Sequence, residues 1–83
     1  MTFRSKVKVT LRTSILDPQG KAVEHAVSSL GVKGVANVRM GKYIEFSVEA
    51  DSESDATQTT DEVCRRLLSN AVMEDYHFEI QRT

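Results

Sequence analysis

Residues 7–31 read VKVTLRTSILDPQGKAVEHAVSSLG, and the hydrophobic period changes within that stretch. Up to Arg12 the pattern alternates: Val7, Val9 and Leu11 fall on one side, and Lys6, Lys8, Thr10 and Arg12 on the other. This period of two predicts a half-buried strand over residues 3–12. From Pro18 onward Ala22, Val23, Ala26, Val27 and Leu30 share one helical face while Lys21, Glu24 and Ser28 point away, which predicts an amphipathic helix over residues 18–30. The junction is encoded locally. Asp17 can accept a hydrogen bond from an unpartnered N–H of the first turn, and Pro18 occupies the first helical position, where its missing N–H has no cost. Gly31 suits the position just past the last turn. Asp17, Pro18 and Gly20 are therefore read as junction residues.

Residues 35–49 return to strand composition, broken at MGKY (40–43), where Gly41 can supply a positive φ. A hairpin of 35–40 with 42–49 is expected, with Ile44, Phe46 and Val48 inward and Tyr43, Glu45, Ser47 and Glu49 outward. The following EADSESDATQTTD (49–61) is polar and acidic. It begins as a loop, but from about Ser54 Ala56, Thr60, Val63, Cys64, Leu67, Leu68 and Ala71 recur at helical spacing. Ser54 or Ser52 can cap this second helix, and Asn70 is expected to end it. Asp61 with Arg65 and Glu62 with Arg66 stand four residues apart, as ion pairs on a helix surface do. In EDYHFEI (74–80) Tyr76, Phe78 and Ile80 alternate with Asp75, His77 and Glu79, which marks a final strand.

The order strand–helix–strand–strand–helix–strand fits a two-layer α+β sandwich of ferredoxin-like type, one antiparallel sheet with two helices on one face, in a single domain spanning residues 1–83. Its other face would carry Lys6, Lys8, Arg12, Tyr43, Glu45, Glu49, His77 and Glu79. With the first strand central, those basic residues would be flanked by acidic ones and form cross-strand pairs.

Composition narrows the function. A chain of 83 residues carries a single marginal core, so help from a partner is expected. One Cys and two His exclude a disulfide framework and a multi-ligand zinc site, and a lone thiol suits a reducing compartment. A net charge of −1 offers no basic field for nucleic acid or an anionic membrane, and no apolar run is long enough to span a bilayer, so a cytoplasmic protein is expected. Neither His25 nor His77 has a nucleophile or carboxylate at a motif spacing. Cys64 lies on an apolar helix face, as a small core residue does. Glu45, Glu49, Glu53 and Asp55 match no metal-loop spacing, and the glycines of GVKG (31–34) suit a helix end and a strand entry. No catalytic, cofactor-binding or metal-binding residue is assigned. Lys42 and Tyr43, at the expected hairpin tip, are candidate partner contacts, and Gly41 is a structural junction.

Three stretches, LDPQGKAVEHAVSSLG (16–31), VANVRMGKYIEF (35–46) and NAVMEDYHFEI (70–80), together resemble PurS, the small-subunit family of bacterial and archaeal phosphoribosylformylglycinamidine synthase. The match rests on Asp17, Pro18, Gln19, Gly20 and Lys21, then Gly41, Lys42 and Tyr43, then Glu74, Asp75 and Tyr76. Thr13 and Ala71 depart from it, standing where the family often has proline, and the 50–60 loop is unusually rich in Asp, Ser and Thr. The resemblance implies an assembly subunit that acts as a homodimer and brings together two enzymes of de novo purine synthesis. PurL would use ATP and magnesium to amidate formylglycinamide ribonucleotide, and PurQ would release ammonia from glutamine. It implies that this chain binds no cofactor itself; that it meets no nucleic acid or membrane is the expectation from its charge and hydropathy. An ACT-like regulatory domain, which binds a small molecule at a subunit interface, is the alternative on the same expected fold; an RNA-binding module would need a basic face that the composition lacks.

Overall fold

The computed structural model describes residues 1–83 and builds five main elements: β1 (Thr2–Leu11), α1 (Pro18–Ser29), β2 (Gly41–Glu49), α2 (Glu53–Val63) and β3 (Glu74–Arg82). β1 is central in an antiparallel sheet of order β2-β1-β3, the arrangement in which its basic residues gain acidic neighbours on both sides. Lys6 stands opposite Glu45 on β2 and Glu79 on β3, and Lys8 stands between Tyr43 and His77. Arg4 also reaches diagonally to Glu45, at 3.6 Å. The other sheet face is the core side. There Phe3, Val7, Val9 and Val48 meet Ala56 and Cys64 of the α2 segment, and Phe46, Phe78 and Ile80 complete the packing while only half-buried.

α2 starts as the sequence predicted: Ser52 caps it, its hydroxyl accepting from the Asp55 N–H at 3.1 Å. Its end differs. The last turn, Cys64–Leu68, is π-helical, closed by the Ser69 N–H on the Cys64 carbonyl at 2.9 Å. The wider turn breaks the 3.6-residue stripe, so Ala56, Thr60 and Cys64 are buried whereas Leu67, placed inward by the periodicity, is 79% exposed. Asn70 then organises the turn into β3, its side-chain oxygen accepting from the Val72 N–H and its carbonyl from the Met73 and Glu74 N–H groups.

The α+β class and antiparallel sheet hold, with one strand fewer than the sequence suggested. Residues 35–40 form no strand, so there is no 35–40/42–49 hairpin. Asn37 takes a left-handed φ of 57°, and the Asn37 and Met40 N–H groups donate to the carboxylates of Glu24 and Asp17. Donors committed to the α1 side cannot form a ladder with β2. Gly41 is not a positive-φ turn residue either; the glycines with positive φ are Gly31 and Gly34. Gly41 instead opens β2, where a Cβ would lie 2.7 Å from the Val9 carbonyl oxygen.

α1 occupies a different position from α2. Gly20 is its one buried residue, and the apolar stripe of Ala22, Val23, Ala26 and Leu30 is exposed. With Thr10 paired to Gly41, residues 12–40 leave and rejoin the sheet at one end, forming an arm. The molecule measures 51 × 27 × 14 Å. About 33 Å of strand and about 18 Å of helix placed end to end account for the long dimension. The radius of gyration, 16.3 Å, exceeds the value of about 12 Å for a compact chain of this length.

Candidate functional site

The base of the arm is organised by the junction with which α1 begins. Asp17 is 3% exposed and uses both carboxylate oxygens: Oδ1 accepts from the Gly20 N–H at 2.9 Å, capping α1, and Oδ2 accepts from the Met40 N–H at 2.7 Å. These two N–H groups, with help from the Arg39 guanidinium, hold its carboxyl below the usual carboxylate range. One side chain therefore starts the helix and fastens the returning segment, residues 37–40, to it. Gly20 serves the same closure, because any Cβ there would collide with the Val38 carbonyl oxygen. Arg39 donates to the carbonyls of Arg12 (2.8 Å) and Ile15 (2.9 Å), and Glu24 accepts from the Asn37 N–H at 3.0 Å.

Of these arm-holding residues, the sequence pointed to Asp17, Pro18 and Gly20 as a helix start. Arg39, Glu24 and Asn37 were missed. Their bonds join residues far apart in sequence and follow no period, so only the fold brings them together.

Along this rigid base runs an uncovered apolar surface. Leu16 is 68% exposed and Leu30 80%, and Val23, Val32, Val35 and Met40 are exposed with them. Single exposed apolar residues are ordinary, but a stripe along one helix and its flanking loop marks an interaction surface. A second exposed group, Leu67, Val72 and Met73, lies where the π-turn leads into β3. Arg12 braces that corner, donating to the Ala71 carbonyl at 2.6 Å and pairing with Asp75 at 3.4 Å.

The candidate partner contacts part company in the structure. Lys42 and Tyr43 open β2 rather than tip a hairpin, and successive strand residues face opposite sides of the sheet. Lys42 pairs with Glu74 at 3.7 Å. Tyr43, 55% exposed, lies on the polar face beside Lys8 and His77, in a shallow groove of about 280 Å³.

The remaining reactive groups serve packing. Cys64 is fully buried, and desolvation, reinforced by Asp61, pushes its thiol up, away from the nucleophilic thiolate. Tyr76 donates to Asp61 at 2.5 Å, and this bond, followed by the Arg65 hydrogen bond at 2.8 Å, lowers the Asp61 carboxyl while the Tyr76 phenol is raised. The pair ties β3 to α2. His25 on α1 and His77 on the polar face stand apart, and no group of three His, Cys, Asp or Glu residues is placed to hold a metal ion. No helix is long and apolar enough to cross a membrane.

Comparison with known proteins agrees with a surface built for contact. Residues 4–82 match the family PurS, described as phosphoribosylformylglycinamidine (FGAM) synthase. The phosphoribosylformylglycinamidine synthase subunit PurS of Synechocystis sp. is 48% identical over 79 residues, which cover 95% of this chain and 79% of that protein. The corresponding subunit of Bacillus subtilis is 44% identical, covering 95% and 93%. Among solved structures, the C2 crystal form of B. subtilis PurS superposes with a TM-score of 0.83 at 43% identity, covering 96% of this chain and 99% of that one. A chain of PurLQS from Thermotoga maritima superposes with a TM-score of 0.91 at 28% identity, covering 98% and 99%. Agreement over nearly every residue includes the projecting α1, so the arm is shared with these relatives. With the match running from β1 to the end of β3, this chain belongs to the PurS family of FGAM synthase subunits.

Proposed function

We propose that this chain is the non-catalytic assembly subunit of phosphoribosylformylglycinamidine synthase. In this reading it acts as a homodimer in the cytoplasm, bringing the PurQ glutaminase beside the PurL amidating subunit so that ammonia passes between them. The complex converts formylglycinamide ribonucleotide, glutamine and ATP to the amidine, the fourth step of de novo purine biosynthesis. ATP and magnesium belong to PurL, and this chain binds neither.

The observation that carries this reading is the exposed apolar arm on a chain whose histidines, thiol and carboxylates are scattered or committed to packing. A surface of that kind contributes to function by being covered. Family membership identifies what assembles, and favours this reading over an ACT-like ligand-binding module. The test is sedimentation of the chain with the PurL and PurQ of its host, in the presence of ATP, magnesium and glutamine. One boundary containing all three proteins is expected. Independent sedimentation of this chain under the same conditions would overturn the proposal.

A further inference from the structure

We infer that the polar face of the sheet is a docking surface for an extended acidic segment of a partner enzyme subunit. A carboxylate of that segment seats over Lys8 and His77, against Tyr43, and a basic side chain two residues along meets Glu79. This deepens the assembly reading above and rests on it. A solvated face is ordinary in an antiparallel sheet, but here the charges are only partly matched. Arg4 pairs with Glu45 at 3.6 Å and Arg12 with Asp75 at 3.4 Å. Between them on β1, Lys6 and Lys8 form no ion pair. Arg4 has taken the carboxylate opposite Lys6 on β2, and Lys8 stands between Tyr43 and His77, neither of which carries one. Glu79, across from Lys6 on β3, is in no ion pair either. These uncommitted groups line one shallow groove of about 280 Å³, with Tyr43 beside them.

The order of charges along the face selects the occupant. The row of Tyr43, Lys8 and His77 is basic, and the next row, Glu45, Lys6 and Glu79, is net acidic. Successive rows on one face lie about 7 Å apart, the spacing of alternate side chains in an extended chain, so an acid followed two residues later by a base complements both. A nucleic-acid strand fits poorly: its backbone carries a negative charge about every 3.4 Å and would meet Glu45, Glu49 and Glu79 on the same face. The groove is also open and smaller than the range of about 300–1,000 Å³ typical of small-molecule pockets. Tyr43 supplies the large, rigid contact that anchors polar protein interfaces, inside a rim of charged groups. The two exposed surfaces of the chain therefore differ in kind. The apolar stripe on the arm suits a permanent contact, and the polar face suits one that forms and dissolves.

The experiment compares the full-length chain with K8E, K8Q and R66E by sedimentation with the host's PurL and PurQ, at about 0.05 and about 0.5 M NaCl, salt levels that span weak and strong screening. Position 8 faces no carboxylate in its own row, so K8E adds no directly opposed like charges and is expected to fold. R66E makes the same change of charge on the exposed side of the α2 segment and serves as the control. The parent is expected to bind more weakly at high salt. K8E should bind about tenfold more weakly than the parent at low salt and respond less to added salt, K8Q should fall between them, and R66E should match the parent. Parent-like binding by K8E and K8Q, or an equal loss in R66E, would overturn the inference while leaving the assembly reading intact. Light scattering of K8E alone should give the parent's mass; a lower mass would assign this face to contact between copies and overturn it. An oligoribonucleotide shifted by the parent and not by K8E would assign the face to RNA, with the same consequence. Failure of the parent itself to sediment with PurL and PurQ would overturn the assembly reading and the docking surface together.

Discussion

Replacing Gly20 by alanine sets helix propensity against tertiary geometry. In an exposed helix interior the change stabilises by about 1 kcal/mol, because alanine loses less backbone entropy than glycine. Here the added methyl collides with the Val38 carbonyl oxygen and sits 3.0 Å from an Asp17 oxygen. The obstacle is backbone, so it cannot swing away as a flexible side chain would. Overpacking costs typically about 1–3 kcal/mol, and a fixed backbone obstacle places this site near the upper end. Subtracting the propensity gain leaves about 2 kcal/mol of destabilisation. For a domain of this size that lowers the Tm by roughly 8–16 °C. Thermal unfolding followed by far-ultraviolet circular dichroism measures it, with both proteins at one concentration because association shifts the Tm. A G20A variant as stable as the parent, or more so, would refute the close approach of residues 37–40 to α1.

Three further outcomes follow from individual contacts. Ser5 and Thr60 share a buried hydrogen bond of 2.6 Å, so T60V should cost about 1–3 kcal/mol by leaving the Ser5 hydroxyl unpartnered, and adding S5A should recover part of that loss in chemical denaturation. The carboxyls of Asp17 and Asp61 lie below their ordinary values when folded, so their stabilisation is present above the unfolded carboxylate pKa and is lost as pH falls through the folded values; the parent Tm should drop between about pH 5 and 3, and the drop should be shallower in D17N. Replacing Lys42 and Tyr43 by alanine should change stability by no more than about 0.5 kcal/mol per site while weakening sedimentation with PurL and PurQ, whereas a Tm loss equal to that of F46A would assign them a structural role.

How far the fold was legible follows from where its determinants lie. Strand alternation at Val7, Val9, Phe46, Val48, Phe78 and Ile80 and the caps at Asp17 and Ser52 are local signals, and these elements formed as read. Residues 35–40 have strand composition, but pairing depends on where the N–H groups are directed, and Asp17 and Glu24 divert them. The stripe on α1 identified an apolar face without identifying what covers it. Periodicity cannot distinguish burial within a chain from burial between chains. The π-turn at Cys64–Leu68 changed the facing of Leu67 with no marker such as glycine or proline inside it. Lys42 and Tyr43 were grouped by adjacency, and the strand separated them onto opposite faces.

The assembly role is tested most directly by the source of nitrogen. PurL and PurQ from the host are supplied with ATP, magnesium and formylglycinamide ribonucleotide, and amidation is followed with glutamine or with ammonium, each with and without this chain. Ammonia released into bulk solvent is diluted and largely protonated, whereas docked enzymes keep its effective concentration high. The account predicts a strong rise in the glutamine-dependent rate when the chain is added and an unchanged ammonium-dependent rate. Equal stimulation of both rates, or of neither, would contradict it.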